Sequence, residues 1–189
     1  MSFNGEEITP REGAEKKFAR LYAENGRHVM AYALRRAGRP EDAADAVSET
    51  FLVAWRRVED LPPEEEIQPW LYGVARRVLA NQRRGDVRRA RLGERLRHEL
   101  PRLASTDPAP DIEDVPTRIL NRMEARDREV LLLAGWEGLG PAQIATVLGI
   151  SGPAARNRLH RARRRFRKEL ERAEAQRTPH CELELEEAR

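Results

Sequence analysis

The sequence GPAQIATVLGISGPAARNRLHRARRR, at residues 140–165, is the most specific local signal in the chain. A helix-turn-helix needs a small residue where its first helix crosses the second, and a turn residue able to adopt positive φ four positions later. Ala145 and Gly149 meet these two requirements in order. Apolar anchors for the second helix follow at Ile150, Ala155 and Leu159. The stretch therefore predicts a helix-turn-helix.

The second helix of this motif carries a strongly basic outer face. Its apolar stripe continues through Ala162, Phe166 and Leu170, so polar side chains occupy the opposite face. Residues 151–168 hold eight basic residues and no acid, which suits contact with DNA phosphates and with base edges in the major groove. A solvated basic helix in an ordinary bundle is the alternative. The outer-face residues expected to contact DNA are Arg156, Asn157, His160, Arg161 and Arg164.

The composition limits the class of protein. The 189 residues include 35 Lys and Arg against 32 Asp and Glu, with 40% apolar and 5% aromatic residues, enough for one ordinary domain or two small ones. The acidic N-terminus lacks a secretory signal, and no apolar run is long enough to cross a membrane. A single cysteine, Cys181, excludes an internal disulfide and a cysteine-based zinc site, and His160 has no partner at ligand spacing. We expect a cytoplasmic protein with no metal, no cofactor and no membrane association.

Helical periodicity predicts an all-α fold of two small helical domains joined by a flexible linker. No stretch alternates with a period of two, so no strand is expected. Prolines and acids predict a loop at 59–69, with Pro69 opening a helix that ends at Gly85. Further helices are expected at residues 14–37, from residue 41, across Ile119–Leu133, at 142–148 and at 153–172. The predicted segments are a flexible N-terminus at 1–13, a first domain at 14–86, a linker at 87–112, a second domain at 113–173 and an acidic tail at 174–189.

The first domain places an acidic helix beside a basic one. On the earlier helix, one face lies opposite Val47 and Phe51, and a solvated surface is the ordinary interpretation of such a face. Its members are Asp42, Asp45, Glu49 and Arg56. On the later helix, arginines with Trp70 and Tyr72 at the helix start suit unstacked DNA, although Trp70 in a core is the alternative. The polar residues there are Arg76, Arg77, Asn81, Arg83 and Arg84.

Together these segments resemble a sigma-70-type initiation factor of the extracytoplasmic-function (ECF) group. The resemblance rests on EDAADAVSETF at 41–51 followed by Trp55, on PWLYGVARRVLANQRR at 69–84, and on REVLLLAGWEGLGPAQIATVLGISGPAARNRLHRAR at 128–163. It implies two helical domains, called region 2 and region 4, and no enzymatic activity. It also implies core RNA polymerase and promoter DNA as partners, with the duplex melted at the −10 element, and an anti-sigma protein as a further partner.

The resemblance implies a task for each surface. Polymerase docking falls to Asp42, Asp45, Glu49 and Arg56. The −10 reader, which captures a flipped base of the melted strand, comprises residues 59–69 together with Trp70, Arg76, Arg77, Asn81, Arg83 and Arg84. The −35 reader comprises Arg156, Asn157, Arg158, His160, Arg161 and Arg164. Two departures affect the promoter sequence rather than the activity: Arg77 stands where many relatives have asparagine, and Gly152-Pro153-Ala154 replaces the more usual Val-Gly-Thr.

Two other classes of function were weighed. A free-standing helix-turn-helix regulator would use the same DNA-binding domain but bind duplex promoter DNA without polymerase. A nuclease or other enzyme needs acids or histidines clustered around a metal or a nucleophile. The four histidines are scattered along the chain, at His28, His98, His160 and His180, which argues against an enzyme.

Overall fold

The computed structural model describes the backbone of residues 10–96 and 115–187, and the side chains of residues 11–85 and 115–175. These ranges hold α-helices, one short 3₁₀ helix and no strand, which confirms the all-α prediction. The chain divides into two compact units: the first contains the first three α-helices and also residues 146–149, and the second contains the rest of the last four α-helices. The elements are α1 (Pro10–Leu34), α2 (Pro40–Arg56), the 3₁₀ helix (Val58–Asp60), α3 (Glu64–Leu96), α4 (Val115–Arg122), α5 (Ala125–Gly135), α6 (Pro141–Leu148) and α7 (Gly152–Glu187).

Aromatic contacts between helices hold the first unit together. Phe18 of α1 meets Trp55 of α2 edge to face, with the ring centres 5.2 Å apart. Tyr32 of α1 stacks on Tyr72 of α3 at 4.7 Å, and both side chains are buried. Offset and edge-on ring pairs stabilise a core by about 0.5–1.5 kcal/mol beyond the area they bury. The small core therefore depends on a few large contacts, consistent with the low aromatic content.

Helix α3 is longer than the sequence predicted at both ends. It begins at Glu64 rather than Pro69. Three acids in its first turn interact favourably with the helix dipole, which offsets part of the roughly 3 kcal/mol that Pro69 costs inside the helix. It continues past Gly85 to Leu96, since a glycine inside a helix costs only about 1 kcal/mol. The predicted loop at 59–69 is therefore wrong over 64–69. The linker predicted at 87–112 begins with a helical piece up to Leu96, which the sequence allows at 88–100. The remainder of that linker lies outside the described residues.

The second unit corrects two further boundaries. The helix expected across Ile119–Leu133 is two helices, since Glu124 has an extended backbone at φ −53° and ψ 136°. The apolar residues on either side of this break stay in helical phase, so periodicity does not reveal it. At the C-terminal end, α7 runs to Glu187, so the predicted tail at 174–189 is helical over almost its whole length. Strong helix formers occupy residues 173–177 and 182–187 and favour the extension, whereas Pro179 between them opposes it.

Helix α1 also begins earlier than expected. Its first residue is Pro10, so the last part of the N-terminus predicted to be flexible at 1–13 is helical, and residues 1–9 lie outside the described part. Proline is well tolerated in a first helical turn, where its missing N–H has no helical partner to lose.

Candidate nucleic-acid interface

The turn of the helix-turn-helix has the backbone that the sequence predicted. Gly149 adopts φ +65°, and Ile150 donates its N–H to the carbonyl of Ala145 at 3.1 Å, which closes the end of α6. Ser151 then starts α7, because its Oγ accepts a hydrogen bond from the N–H of Ala154 at 3.4 Å. The turn therefore fixes where the second helix of the motif begins.

Helix α7 turns its apolar stripe inward. Ala155, Leu159 and Ala162 are buried, and they face α5, where Val130 and Leu133 are fully buried. The opposite face is polar and accessible to solvent. The structure places the residues expected at the −35 element on this exposed surface, with Arg158 half-buried at its edge: Arg156, Asn157, Arg158, His160, Arg161 and Arg164.

These residues do not share one environment. A groove of about 410 Å³ lies beside the start of α5, with Glu124 and Arg126 on its α5 side. Asn157, Arg158 and Arg161 line it on the α7 side. The groove thus mixes acidic and basic side chains, whereas the α7 residues themselves are all neutral or basic from residue 152 to residue 168.

One ion pair beside this groove was not found from the sequence. Arg165 donates through Nη1 to Oδ2 of Asp127, whose side chain is only 9% exposed, while that of Arg165 is 61% exposed. Asp127 lies in the first turn of α5, where the helix dipole favours a carboxylate. The two residues are separated by 38 positions, so no periodicity or local motif indicates the contact.

In the first unit, α2 presents the predicted acidic face. Asp45, Glu49 and Arg56 are exposed on the side opposite the buried Val47 and Phe51. Exposed Leu52 lies between Glu49 and Arg56 on this face, so its charged residues are interrupted by an apolar one.

Asp42 differs from the other members of that face. It is half-buried, and the guanidinium of Arg39 holds both of its carboxylate oxygens, at 3.2 Å from Nε and 3.0 Å from Nη2. This forked pair lies at the start of α2 and favours helix formation there. Asp42 is thus already engaged within the chain.

Helix α3 exposes most of the polar residues predicted to contact DNA at the −10 element. The exposed members are Arg76, Arg77, Asn81, Arg83 and Arg84, and Trp70 is half-buried. Tyr72, however, is 2% exposed and packs on Tyr32. The expectation of an exposed aromatic residue at this position is wrong, since α3 turns Tyr72 into the core.

Two of these polar residues have partners inside the protein. Arg84 donates to Oδ1 of Asn81, so these two side chains form one polar cluster on α3. Arg83 donates to the backbone carbonyl of Arg36, just beyond the end of α1. Arginine bound to a carbonyl after a helix end satisfies an acceptor that the helix leaves open. Arg83 therefore ties α3 to α1.

Arg36 itself is a core residue that sequence reasoning missed. Its Cζ lies 3.8 Å from the centre of the Tyr32 ring, and its Nη1 donates to the Tyr32 carbonyl at 3.3 Å. A guanidinium over a tyrosine ring gains a cation–π attraction that is stronger where water is excluded. Arg36, Tyr32 and Tyr72 form one stack that supports the helix carrying the −10 candidates.

Other kinds of site are not apparent within residues 11–85 and 115–175. No group of three His, Cys, Asp or Glu side chains in these ranges could hold a metal ion. No helix among the described residues is long and apolar enough to cross a membrane.

Two sequence models of one family match the chain, "Sigma-70 region 2" at residues 21–89 and "Sigma-70, region 4" at residues 117–166. The RNA polymerase sigma factor NccH of Alcaligenes xylosoxydans xylosoxydans is 31% identical to it over 168 residues, which are 80% of this chain and 86% of the relative. The chain belongs to the sigma-70 family. The region 2 match lies within the segment that forms α1–α3, and the region 4 match lies within the segment that forms α4–α7.

A second relative narrows the group. The ECF RNA polymerase sigma factor SigL of Mycobacterium tuberculosis is 32% identical over 154 residues, which are 80% of this chain and 87% of the relative. This sigma factor is thus a member of the ECF group. As an RNA polymerase sigma factor it directs transcription initiation, with polymerase and promoter DNA as its partners. Members of the family are DNA-binding transcription initiation factors.

A solved structure has the same fold. The sigma factor RpoE from Bartonella quintana, in complex with the anti-sigma factor NepR, matches with a TM-score of 0.61 at 22% identity. The match covers 82% of this chain and 98% of that one. At this level of identity the similarity concerns the helical fold alone.

Proposed function

We propose that this sigma factor uses three separate helix faces to start transcription. The α2 face docks on core RNA polymerase, α3 reads the melted −10 element, and α7 reads the −35 element in duplex DNA. The observation that supports the proposal best is the exposed basic face of α7, whose start is fixed by the turn at Gly149. The protein acts without catalysing a reaction itself and needs no cofactor.

The −35 assignment follows from the chemistry of α7. An α-helix fits into the major groove, where arginine side chains form paired hydrogen bonds with guanine. His160, Arg161 and Arg164 extend from the exposed face and are not paired with acids of the described residues. Arg156 and Asn157 lie one turn nearer the start of α7, where a recognition helix contacts base edges. Arg158, at the edge of the face, is placed to contact the phosphate backbone.

The −10 assignment rests on the polar faces of α3. Arg76 and Arg77 follow the buried Tyr72 by one turn, and the Asn81–Arg84 pair follows by one turn more. Guanidinium groups bind phosphates and stack on unpaired bases, so this helix suits a melted strand. Trp70 is half-buried at the start of the same surface and offers a ring edge to a flipped base. Arg77, where relatives often have asparagine, changes the base preference rather than the ability to melt DNA.

The polymerase assignment rests on Asp45, Glu49 and Arg56. Exposed charges that form one face contribute little to the stability of the chain, but they orient and stabilise a complex with an oppositely charged partner. Asp42 shapes the start of the helix through its pair with Arg39, and so supports this face from within the chain.

This sigma factor is expected to act in the cytoplasm and to be regulated by an anti-sigma protein. Core polymerase and its template lie in the bacterial cytoplasm, so a protein with this function acts there and joins the nucleoid when it is bound to polymerase. The RpoE structure from Bartonella quintana contains an anti-sigma factor. By analogy, an anti-sigma protein is a further partner of this chain.

The docking surface is tested by reversing its charges. The double variant Asp45→Arg plus Glu49→Arg is compared with the wild type by capture on immobilised core polymerase, together with a thermal melt. Each exposed reversal changes the folding stability by no more than about 0.5 kcal/mol, whereas like charges across an interface cost several kcal/mol. We expect at least about a hundredfold loss of polymerase affinity with an unchanged melting temperature.

A matched control distinguishes the effect of where the charges are reversed from the effect of the change in net charge. The double variant Glu15→Arg plus Glu24→Arg makes the same change of net charge on α1, where both acids are exposed. It is expected to bind polymerase as the wild type does. Normal capture of the α2 variant would reject this face as the docking surface, and a collapsed melting temperature would mean that Asp45 and Glu49 stabilise the fold instead.

A further inference from the structure

The ion pair between Asp127 and Arg165 joins the recognition helix to α5. Asp127 lies in the first turn of α5 and is buried, and Arg165 lies one turn beyond the buried Ala162 on α7. The carboxylate belongs to the helix that packs behind the DNA-reading face, and the guanidinium belongs to the reading helix. This ion pair thus links α5 to the DNA-reading helix α7.

Apolar packing alone leaves the rotation of α7 weakly defined. The buried apolar residues of α7 are Ala155, Leu159 and Ala162, of which two have only a methyl group, while the larger Phe166 and Leu170 are only half-buried. The hydrophobic effect is non-directional, so small side chains permit a helix to roll or slide at little cost. An ion pair with hydrogen bonding has a narrow range of good geometry and supplies the missing direction.

The same contact changes which arginines are available to DNA. Arg164 is exposed and has no ion-pair partner among the described residues, and it lies on the outer face of α7. Arg165, the next residue, is rotated by about 100° around the helix axis and is held by Asp127. Of these two neighbouring arginines, Arg165 is held within the protein, and Arg164 is exposed to bind DNA.

We propose that Asp127 is a positioning residue for −35 recognition, which holds Arg165 and so fixes the rotation of α7 in the major groove. Arg165 belongs to the support of the helix and is not one of the phosphate contacts, although it lies within the most basic segment of the chain. The inference rests on the proposed function of α7 and adds to it the residue pair that sets the orientation of the reading face.

The salt dependence of promoter binding distinguishes the two arginines. Each phosphate contact that is lost reduces the slope of log affinity against log salt by about 0.9. Holoenzyme, assembled from the full chain and core polymerase, is titrated on a cognate promoter and on a promoter with a mismatched −35 element at several KCl concentrations. Arg164 lies about two turns beyond Asn157, away from the start of α7 where base edges are contacted, so we expect it to contact a phosphate. Arg164→Gln is therefore expected to reduce the slope by about one phosphate contact and to retain most discrimination between the two promoters.

Arg165→Gln and Asp127→Asn are expected to behave in the opposite way. Both leave the slope unreduced but lower the preference for the cognate −35 element by about tenfold, the value of one well-placed base contact. Because the two residues act as one unit, the double variant loses no more discrimination than either single variant. Arg165→Lys keeps a cation for Asp127 and restores most of the preference, which a general loss of packing would not allow.

Each result has a distinct meaning. A reduced slope in Arg165→Gln, equal to that of Arg164→Gln, would make Arg165 a phosphate contact and overturn the inference. Full discrimination in Asp127→Asn would also overturn it, as would the same loss in Arg165→Lys and Arg165→Gln. If Arg164→Gln left both slope and discrimination unchanged, the assignment of the α7 outer face to DNA would be wrong instead. Should Asp127→Asn fail to fold, the Arg165 variants still decide the question.

Discussion

Replacement of Gly149 by alanine tests the turn on which the DNA-reading helix depends. Gly149 has φ +65°, and a Cβ atom built there meets no other atom within 4 Å. The penalty is therefore confined to the backbone, because an L-residue in the left-handed region brings Cβ close to the carbonyl oxygen, at about 1–2 kcal/mol. We expect Gly149→Ala to destabilise the α6–α7 junction by this amount.

Gly152 supplies a matched control three residues away. It is the first residue of α7, it has no positive φ, and a Cβ there also meets nothing within 4 Å. Gly152→Ala adds the same methyl group in a backbone that alanine adopts readily, so it is expected to stabilise the protein by about 0.4–1 kcal/mol. The two variants differ in the sign of their effect although their composition is the same.

Native-state hydrogen exchange of the full chain measures both effects where they act. Peptides from α6 and the start of α7 are expected to exchange about 5- to 30-fold faster in Gly149→Ala than in the wild type, and more slowly in Gly152→Ala. Peptides from α1–α3 serve as an internal reference and are expected to be unaffected. Equal exchange in the two variants would refute the claim that the left-handed backbone at residue 149 requires glycine.

Three further predictions concern the reading surfaces. Arg161→Ala and His160→Ala are each expected to weaken discrimination at the −35 element by about 1–3 kcal/mol, while capture on polymerase stays unchanged. Initiation at the wild-type level on both cognate and mismatched −35 promoters would show that this face does not contact DNA. Arg77→Asn is expected to change which −10 sequence is opened, as measured by selection from a randomised −10 library; recovery of the same motif by both proteins would exclude Arg77 from base contact. Arg83→Ala is expected to lower the melting temperature, because it leaves the Arg36 carbonyl after α1 without its donor. Arg84→Ala is expected to lower promoter opening with an unchanged melting temperature. If Arg84→Ala lowered the melting temperature and Arg83→Ala lowered only promoter opening, Arg84 would be the structural residue and Arg83 the DNA contact.

The sequence predicted what depends on local patterns. The helix-turn-helix followed from the small residue at Ala145, the glycine at Gly149 and the apolar spacing after it, and the structure confirms the turn. The all-α class followed from helical periodicity alone. Both depend on interactions between residues close in sequence, which a single chain displays directly.

Boundaries were less predictable, because helix breakers act only through their context. Pro69 predicts the start of a helix, but the helix begins earlier, at Glu64, where three acids occupy its first turn. Gly85 reads as an end, yet its cost of about 1 kcal/mol is too small to stop a helix of strong formers. The break at Glu124 lies within an apolar pattern that stays in phase, so no property of that pattern marks it.

Contacts between distant segments were not predictable from the sequence. Tyr72 was expected at an exposed site, but its stacking on Tyr32 depends on how α3 packs against α1. Arg83 was assigned to DNA together with its neighbours, and only the structure places its guanidinium on the carbonyl of Arg36. The pair of Asp127 with Arg165 belongs to the same class. In a chain with so many arginines, composition does not indicate which of them support the fold.

As a sigma factor, this chain gives core RNA polymerase its promoter specificity. In vitro transcription tests this directly: fragmented genomic DNA from the source organism is transcribed by core polymerase with and without the purified chain, and the RNA 5′ ends are sequenced. We expect discrete start sites that depend on the added protein and share one −35 and one −10 sequence at a fixed spacing. Start sites with no shared upstream elements, or none beyond those of core polymerase alone, would contradict this expectation.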